Sequence, residues 1–223
     1  MTHKTGRAGF ALAAALGLAL AAHAEVRITV ERNTVGAATA GFKFKNVPPP
    51  ARDDAAAGAK LALVDGEADP NGADLSALTD GALPTSDDDP EANFFFNAGT
   101  AGGRFRIDLG GVVEIAQVNT YSWHPGARGP QLYRLFASDG AGPEFDPAPK
   151  RPVDPATRGW KLIATVTTIP KEGEDGGQYG VSVTDSGGTL GKYRYLLFDC
   201  YATELSDGWG NTFYSEVDVA ARK

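Results

Sequence analysis

Gly103 to Gly140 reads GRFRIDLGGVVEIAQVNTYSWHPGARGPQLYRLFASDG, and this stretch decides the fold. Phe105, Ile107 and Leu109 alternate with polar neighbours, as a half-buried strand requires. Gln117 to Ser122 and Leu132 to Ser138 are rich in β-branched and aromatic residues, and Gly110-Gly111 and Asp139-Gly140 supply turns. The segment therefore reads as three strands. The turn between the last two holds Trp123, His124 and Arg128 on a compact loop. A rigid β scaffold presenting such a loop suits recognition of a polar ligand better than chemistry.

The same pattern continues outward. Val26 to Glu31, Phe42 to Lys45, Trp160 to Thr168, Tyr179 to Thr184, Tyr193 to Cys200 and Phe213 to Val219 also read as strands, the last with Phe213, Val217 and Val219 on one face. Gly176-Gly177, Gly187-Gly188 and Asp207-Gly208 separate them. Helical periodicity is confined to Ala51 to Val64, where one short helix is expected, weakened by Gly58 and by Pro48-Pro49-Pro50. Many short strands with Gly-rich turns predict an all-β, two-sheet sandwich in one domain, residues 25–223. Val64 to Thr100 is acidic and turn-rich, and residues 141–159 form a proline-studded surface insertion.

The first 24 residues carry the three parts of a secretory signal: Lys4 and Arg7, an apolar run from Phe10 to Ala22, and the small-x-small site Ala22-His23-Ala24. Cleavage is expected before Glu25, giving a secreted or periplasmic protein, and the apolar run is too short to span a bilayer. Cleavage leaves 19 basic against 28 acidic residues and moves the net charge from −7 to −9. That balance argues against nucleic acid and anionic membranes as partners. Cys200 is the only cysteine, so no internal disulfide forms. Of three histidines only His124 survives cleavage, which excludes multi-histidine metal sites.

In this order, LTDG (78–81), RFRIDLG (104–110), ASDG (137–140) with GWKLIATV (159–166), KYRYLLFD (192–199) and SEVDV (215–219) resemble the discoidin, or coagulation-factor C-type, family. The resemblance spans residues 75–219. It implies a galactose-binding-like jelly roll, without the terminal cysteines of some members and with an added segment at residues 25–74. It further implies a ligand site among loops at one end of the sandwich. Trp123, His124 and Arg128 would come from one loop, and Trp209 and Asn211 from YATELSDGWGNTF (201–213). Flat aromatics cover the C–H face of a sugar, and Arg, Asn and His bond its hydroxyls, so the expected partner is carbohydrate. The alternative for these residues is structural, with Trp123 capping the core and Arg128 paired to an acid such as Asp207.

The resemblance also implies a structural calcium ion held by Asp80, Thr85 and Glu216. Asp65, Asp69, Asn71, Asp74 and Asp87-Asp88-Asp89 lie in the same acidic stretch, where solvated turns are the commoner role. Two other function classes remain in view. An extracellular protein-interaction or adhesion module would use the same loops. A hydrolase would need His124, with Ser122 as its neighbour, but the chain has no GxSxG motif. Cys200, within the apolar YLLFDCY, reads as an inert buried thiol.

Overall fold

Strand β3 (Gly103–His124) organises the molecule, because its two halves serve different sheets. In this computed structural model, which describes residues 25–203 and 211–223, residues 103–108 pair with β2 (Lys60–Asp65) and β7 (Gly191–Cys200). Residues 117–124 pair with β6 (Gly177–Asp185), and β8 (Tyr214–Ala221) runs along the other side of that half. The β7 register shifts at Gly110-Gly111, between Asp108 and Val113, and β7 pairing continues to Ile115, so the change of sheet falls between Ile115 and Gln117. Gly110 sits at φ 79°, a left-handed conformation that glycine adopts without steric cost.

Beyond β7 lie β4 (Leu132–Ser138) and β5 (Lys161–Thr167), and beyond β6 lies β1 (Val26–Thr34). The layers are thus β5-β4-β7-β3-β2 and β1-β6-β3-β8, antiparallel throughout. The expected all-β sandwich is observed. Its core lies between the layers, where Phe105, Ile107, Leu135, Phe198, Val181, Val183, Val217 and Val219 are buried together. Phe105 and Phe198 stack across the β3–β7 pair with centroids 4.8 Å apart.

Three local expectations are corrected. Residues 51–58 form turns, and the Ala-rich stretch then enters strand β2 at Lys60, so the short helix does not form. Gly58 at φ 73° breaks helical continuity. Phe42 to Lys45 is not a strand but a covering segment: Phe44 lies over Gly180 and beside Tyr121, on the outer face of the second sheet. In β8 the face sharing proposed for Phe213 fails. Tyr121 pairs with Glu216 but Ser122 pairs with Tyr214, so Ser215 is a bulge that reverses the alternation. Tyr214 therefore enters the core with Val217 and Val219, and Phe213 turns to the end of the sandwich.

The 141–159 insertion packs against the outer face of the first sheet. Phe145 stacks on Tyr195 at 5.0 Å, and the Trp160 indole donates to the Asp146 carbonyl at 2.8 Å. Beneath it, Asp199 stands in register between Arg104 and Arg134, and Arg151 reaches in from the insertion. No helix among the described residues is long and apolar enough to cross a membrane.

Candidate functional site

Loops from both sheets are tied together at one end of the sandwich. Thr203 Oγ1 donates to the Ala127 carbonyl at 2.7 Å, and Tyr201 N donates to Leu132 O at 2.8 Å. Thr212 Oγ1 donates to Pro130 O at 2.6 Å, and Phe213 N to Arg128 O at 3.0 Å. The loop after β3 is thereby fixed against the entry to β8.

Phe213 is the centre of this end. The His124 imidazole meets its ring edge-on at 4.8 Å, the Arg128 guanidinium lies over it at 5.2 Å, and Phe95 stacks on it at 4.1 Å. His124 Nδ1 accepts from Gly126 N at 2.9 Å. In the neutral ring the proton is then on Nε2, which is a donor. Burial and then the Arg128 charge hold the His124 pKa below its ordinary value, outweighing the opposing fields of Asp88 and Asp87. The imidazole is therefore uncharged at neutral pH. Asp87 and Asp88 are exposed, and their charges bear on the imidazole.

Of the five expected ligand residues, the structure brings together His124 and Arg128. Trp123 points the other way, because consecutive strand residues face opposite sides of a sheet. It is 5% exposed, beneath Phe42 and Phe44, in a cavity of about 20 Å³. That is room for roughly one water, not for a sugar. Its Nε1 has no protein partner. Asn211 is also buried, and its Nδ2 donates to Asn97 O at 2.9 Å, clamping the 97–100 turn. Trp209 and Asp207 lie outside the described residues. Phe213, Phe95, Asp87 and Asp88 were not anticipated at this end. The Thr212-Phe213 step alone gave no signal, since the Ser215 bulge decides where Phe213 points.

The residues considered for catalysis are committed elsewhere. Ser122 Oγ donates to Gly129 O at 2.5 Å and accepts from Gln131 Nε2 at 3.0 Å. Burial pushes the Cys200 thiol up to about 12, which keeps it a thiol.

At the expected calcium position, Glu216 and Asp80 share the 80–82 turn. Glu216 Oε2 accepts from Gly81 N at 2.9 Å and Asp80 Oδ1 accepts from Ala82 N at 2.8 Å. Burial first, then the Asp218 charge, pushes Glu216 up to about 9. At that value the carboxyl is protonated at neutral pH, and Arg52 packs against the same turn at Gly81. Thr85 is exposed. Among the described residues no three His, Cys, Asp or Glu side chains converge as metal ligands. Backbone carbonyls, Thr85 or water would have to complete the shell.

A larger concavity of about 450 Å³ lies beside β2, lined by Ala59, Leu61, Leu63, Leu75 and Phe94 with Asp74 and Ser76. It is aliphatic and offers few groups for hydroxyls. The loop end has the better chemistry for a polar ligand.

No protein-family profile matches the chain, and no curated protein sequence matches it. Among solved structures it is similar to the lectin domain of lectinolysin complexed with Lewis B antigen, at 15% identity and TM-score 0.48. The match covers 77% of this chain and 98% of that one. CpGH89CBM32-4 produced by Clostridium perfringens gives 10% identity and TM-score 0.45, over 75% of this chain and 98% of that module. SpGH29 gives 11% identity and TM-score 0.45, and there the match spans 28% of the longer chain.

Proposed function

We propose that this protein is a non-catalytic carbohydrate-binding module that recognises glycan at the loop end of the sandwich. The observation that supports this best is the meeting of His124 and Arg128 over Phe213, with Asp87 and Asp88 close enough for their charges to bear on His124. His124 Nε2 and the guanidinium are donors and the exposed carboxylates are acceptors, while Phe213 and Phe95 lie buried as their support. Polyhydroxylated rings require that combination. Trp209 belongs to the same proposal through its place in the 201–213 loop. The signal-like N-terminus supports work outside the cytoplasm, secreted or periplasmic. Calcium at Asp80 and Glu216 would be structural, tying the 80–82 turn to β8.

A monosaccharide has about a dozen heavy atoms, and at about −0.3 kcal/mol per atom it gains about −4 kcal/mol, near millimolar affinity. A single site is therefore weak. The test is a glycan array with the mature chain, followed by titration of a hit. Arg128→Ala is expected to abolish binding. The cation–π contact with Phe213 is worth about 1 kcal/mol, and its loss alone lowers Tm by about 2–4 °C. Undiminished glycan binding by Arg128→Ala, or no binding to any glycan by the wild type, would refute the proposal.

A further inference from the structure

The sandwich has four edge strands among the described residues, and three of them are blunted. β2 is short and carries a register shift between Leu63 and Asp65. β5 opens with Lys161 and pairs with β4 across a register shift. β8 is covered by the 54–55 segment, since Ala55 N donates to Val219 O at 2.9 Å and Val219 N donates to Asp54. Bulges, lysines and covering loops are the usual protections against strand-to-strand association. β1 has none of these. It pairs with β6 over nine consecutive residues without a shift, contains neither Pro nor Lys, and has no second strand beside it.

β1 also carries an exposed apolar stripe. Val26, Ile28 and Val30 are 38%, 41% and 43% exposed. Ile28 and Val30 stand opposite Val183 and Val181, both fully buried, so the stripe lies on the inner face and runs past the margin of the core. Ser186 N donates to Glu25 O, and Glu25 and Ser186 extend the β1–β6 register. Residues 25, 27, 29, 31 and 33 therefore bond to β6. Residues 26, 28, 30 and 32 turn their backbone N–H and C=O to the open edge.

We propose that β1 pairs antiparallel with β1 of a second copy of this chain, about a two-fold axis at Thr29. Outward-bonding residues can pair only with one another, which restricts the register. Centring on Thr29 places Ile28 opposite the partner's Val30 and Arg27 opposite the partner's Glu31, twice by symmetry. Moving the centre to Ile28 would oppose Glu25 to Glu31, and moving it to Val30 would leave Arg27 opposite Asn33 instead of Glu31. Charge complementarity selects the first register. Glu31 is already oriented: its carboxylate accepts from Asn46 N at 2.7 Å and Val47 N at 3.2 Å, and Arg27 is exposed. One strand pair buries a small area, so the dimer dissociates in the micromolar range. The inference does not depend on what the loop end binds.

Thr29 and its symmetry mate form a non-hydrogen-bonded pair, with Cα atoms about 4.5 Å apart, within disulfide reach. Thr29→Cys in the mature chain, with Cys200 buried, should give a disulfide-linked dimer under mild oxidation, whereas Arg27→Cys should not. Sedimentation equilibrium of the wild type should show a concentration-dependent dimer. Arg27→Glu should raise its dissociation constant roughly tenfold or more, since two attractive pairs become repulsive. Mixing Arg27→Glu with Glu31→Lys should restore association as a heterodimer. A wild type monomeric at several hundred micromolar, or equal cross-linking of the two cysteine variants, would overturn the proposal.

Discussion

Replacing Asp199 by Asn tests the energetics beneath the insertion, and its magnitude follows from the contacts. The carboxylate is fully buried and receives Arg134 Nη2 at 2.7 Å, Arg151 Nε at 2.8 Å and Nη2 at 2.6 Å, and the Tyr201 hydroxyl at 2.9 Å. Arg104 Nη2 adds a bond at 3.2 Å, while its Nε lies 3.1 Å away without hydrogen-bond alignment. Burial alone would raise the Asp199 pKa, but bonds from Arg104, Arg134 and Arg151 outweigh it and hold the group at about 2. Asn keeps the shape and removes the charge, leaving three guanidiniums around a neutral amide. Breaking a buried ion pair from one side costs about 3–5 kcal/mol. For a domain of this size each kcal/mol moves Tm by about 2–4 °C, so a fall of roughly 6–20 °C is expected by calorimetry at pH 7. The pH dependence checks the sign. A depressed carboxylate contributes stability that is present above the unfolded value of 3.8 and is lost as pH falls toward about 2. The gap between wild type and variant should therefore narrow below pH 4. Arg104 Nη1 also holds Pro149 O at 2.7 Å and Val153 O at 2.8 Å, so residues 141–159 should become cleavable by protease in the variant. A Tm change under about 2 °C, or a gap independent of pH, would refute the assignment of Asp199 as the counter-charge of this cluster.

Four further outcomes are expected. Trp123→Phe should leave glycan affinity unchanged and Tm equal or slightly higher, because the indole N–H is buried without a partner; titration and calorimetry check both. Asn211→Ala should lower stability by about 1–3 kcal/mol in urea unfolding, because it frees the buried 97–100 turn. If calcium binds at Asp80 and Glu216, chelation should lower Tm, and Asp80→Ala should remove that sensitivity; superimposable melting curves would discard the ion. Phe213→Ala should cost about 3–5 kcal/mol and glycan binding together, since one ring supports both His124 and Arg128.

The strands were legible where alternation is unbroken. Leu132 to Ser138 is observed with the expected ends, and Arg104 to Leu109 and Gln117 to Ser122 are both strand, although the sequence gives no sign that they join through Gly110-Gly111. What stayed hidden depends on parity and coverage. Trp123 and His124 are adjacent in sequence, and adjacency in a strand separates side chains across the sheet. The Ser215 bulge is invisible to a period-two reading, yet it alone sends Tyr214 inward and Phe213 outward. Phe42 to Lys45 looked like a strand because it alternates, but its aromatics cap Tyr121 and Gly180 without pairing. Arg104, Arg134 and Arg151 are far apart in sequence. Only the register of three strands and a folded insertion brings them to Asp199.

A dimer joined through β1 fixes the direction in which its two loop ends face. Thr34 pairs with Gly177, and Gly177 pairs with His124, so the loop end lies at the C-terminal end of β1. Antiparallel pairing about Thr29 must then point the two loop ends in opposite directions. Each end lies five residues from the axis, about 17 Å at the rise of a strand, which sets the two sites roughly 35 Å apart along the strand direction and facing away. Such a dimer cannot place both sites on one flat glycan surface, so it gains little avidity there; it joins two surfaces instead. Beads coated with a glycan that the protein binds should therefore agglutinate at protein concentrations above dimer dissociation. Arg27→Glu should bind the beads without clumping them, and Arg128→Ala should do neither. Agglutination by Arg27→Glu equal to wild type would mean that the bridging contact lies elsewhere, even if glycan recognition by the loop end holds.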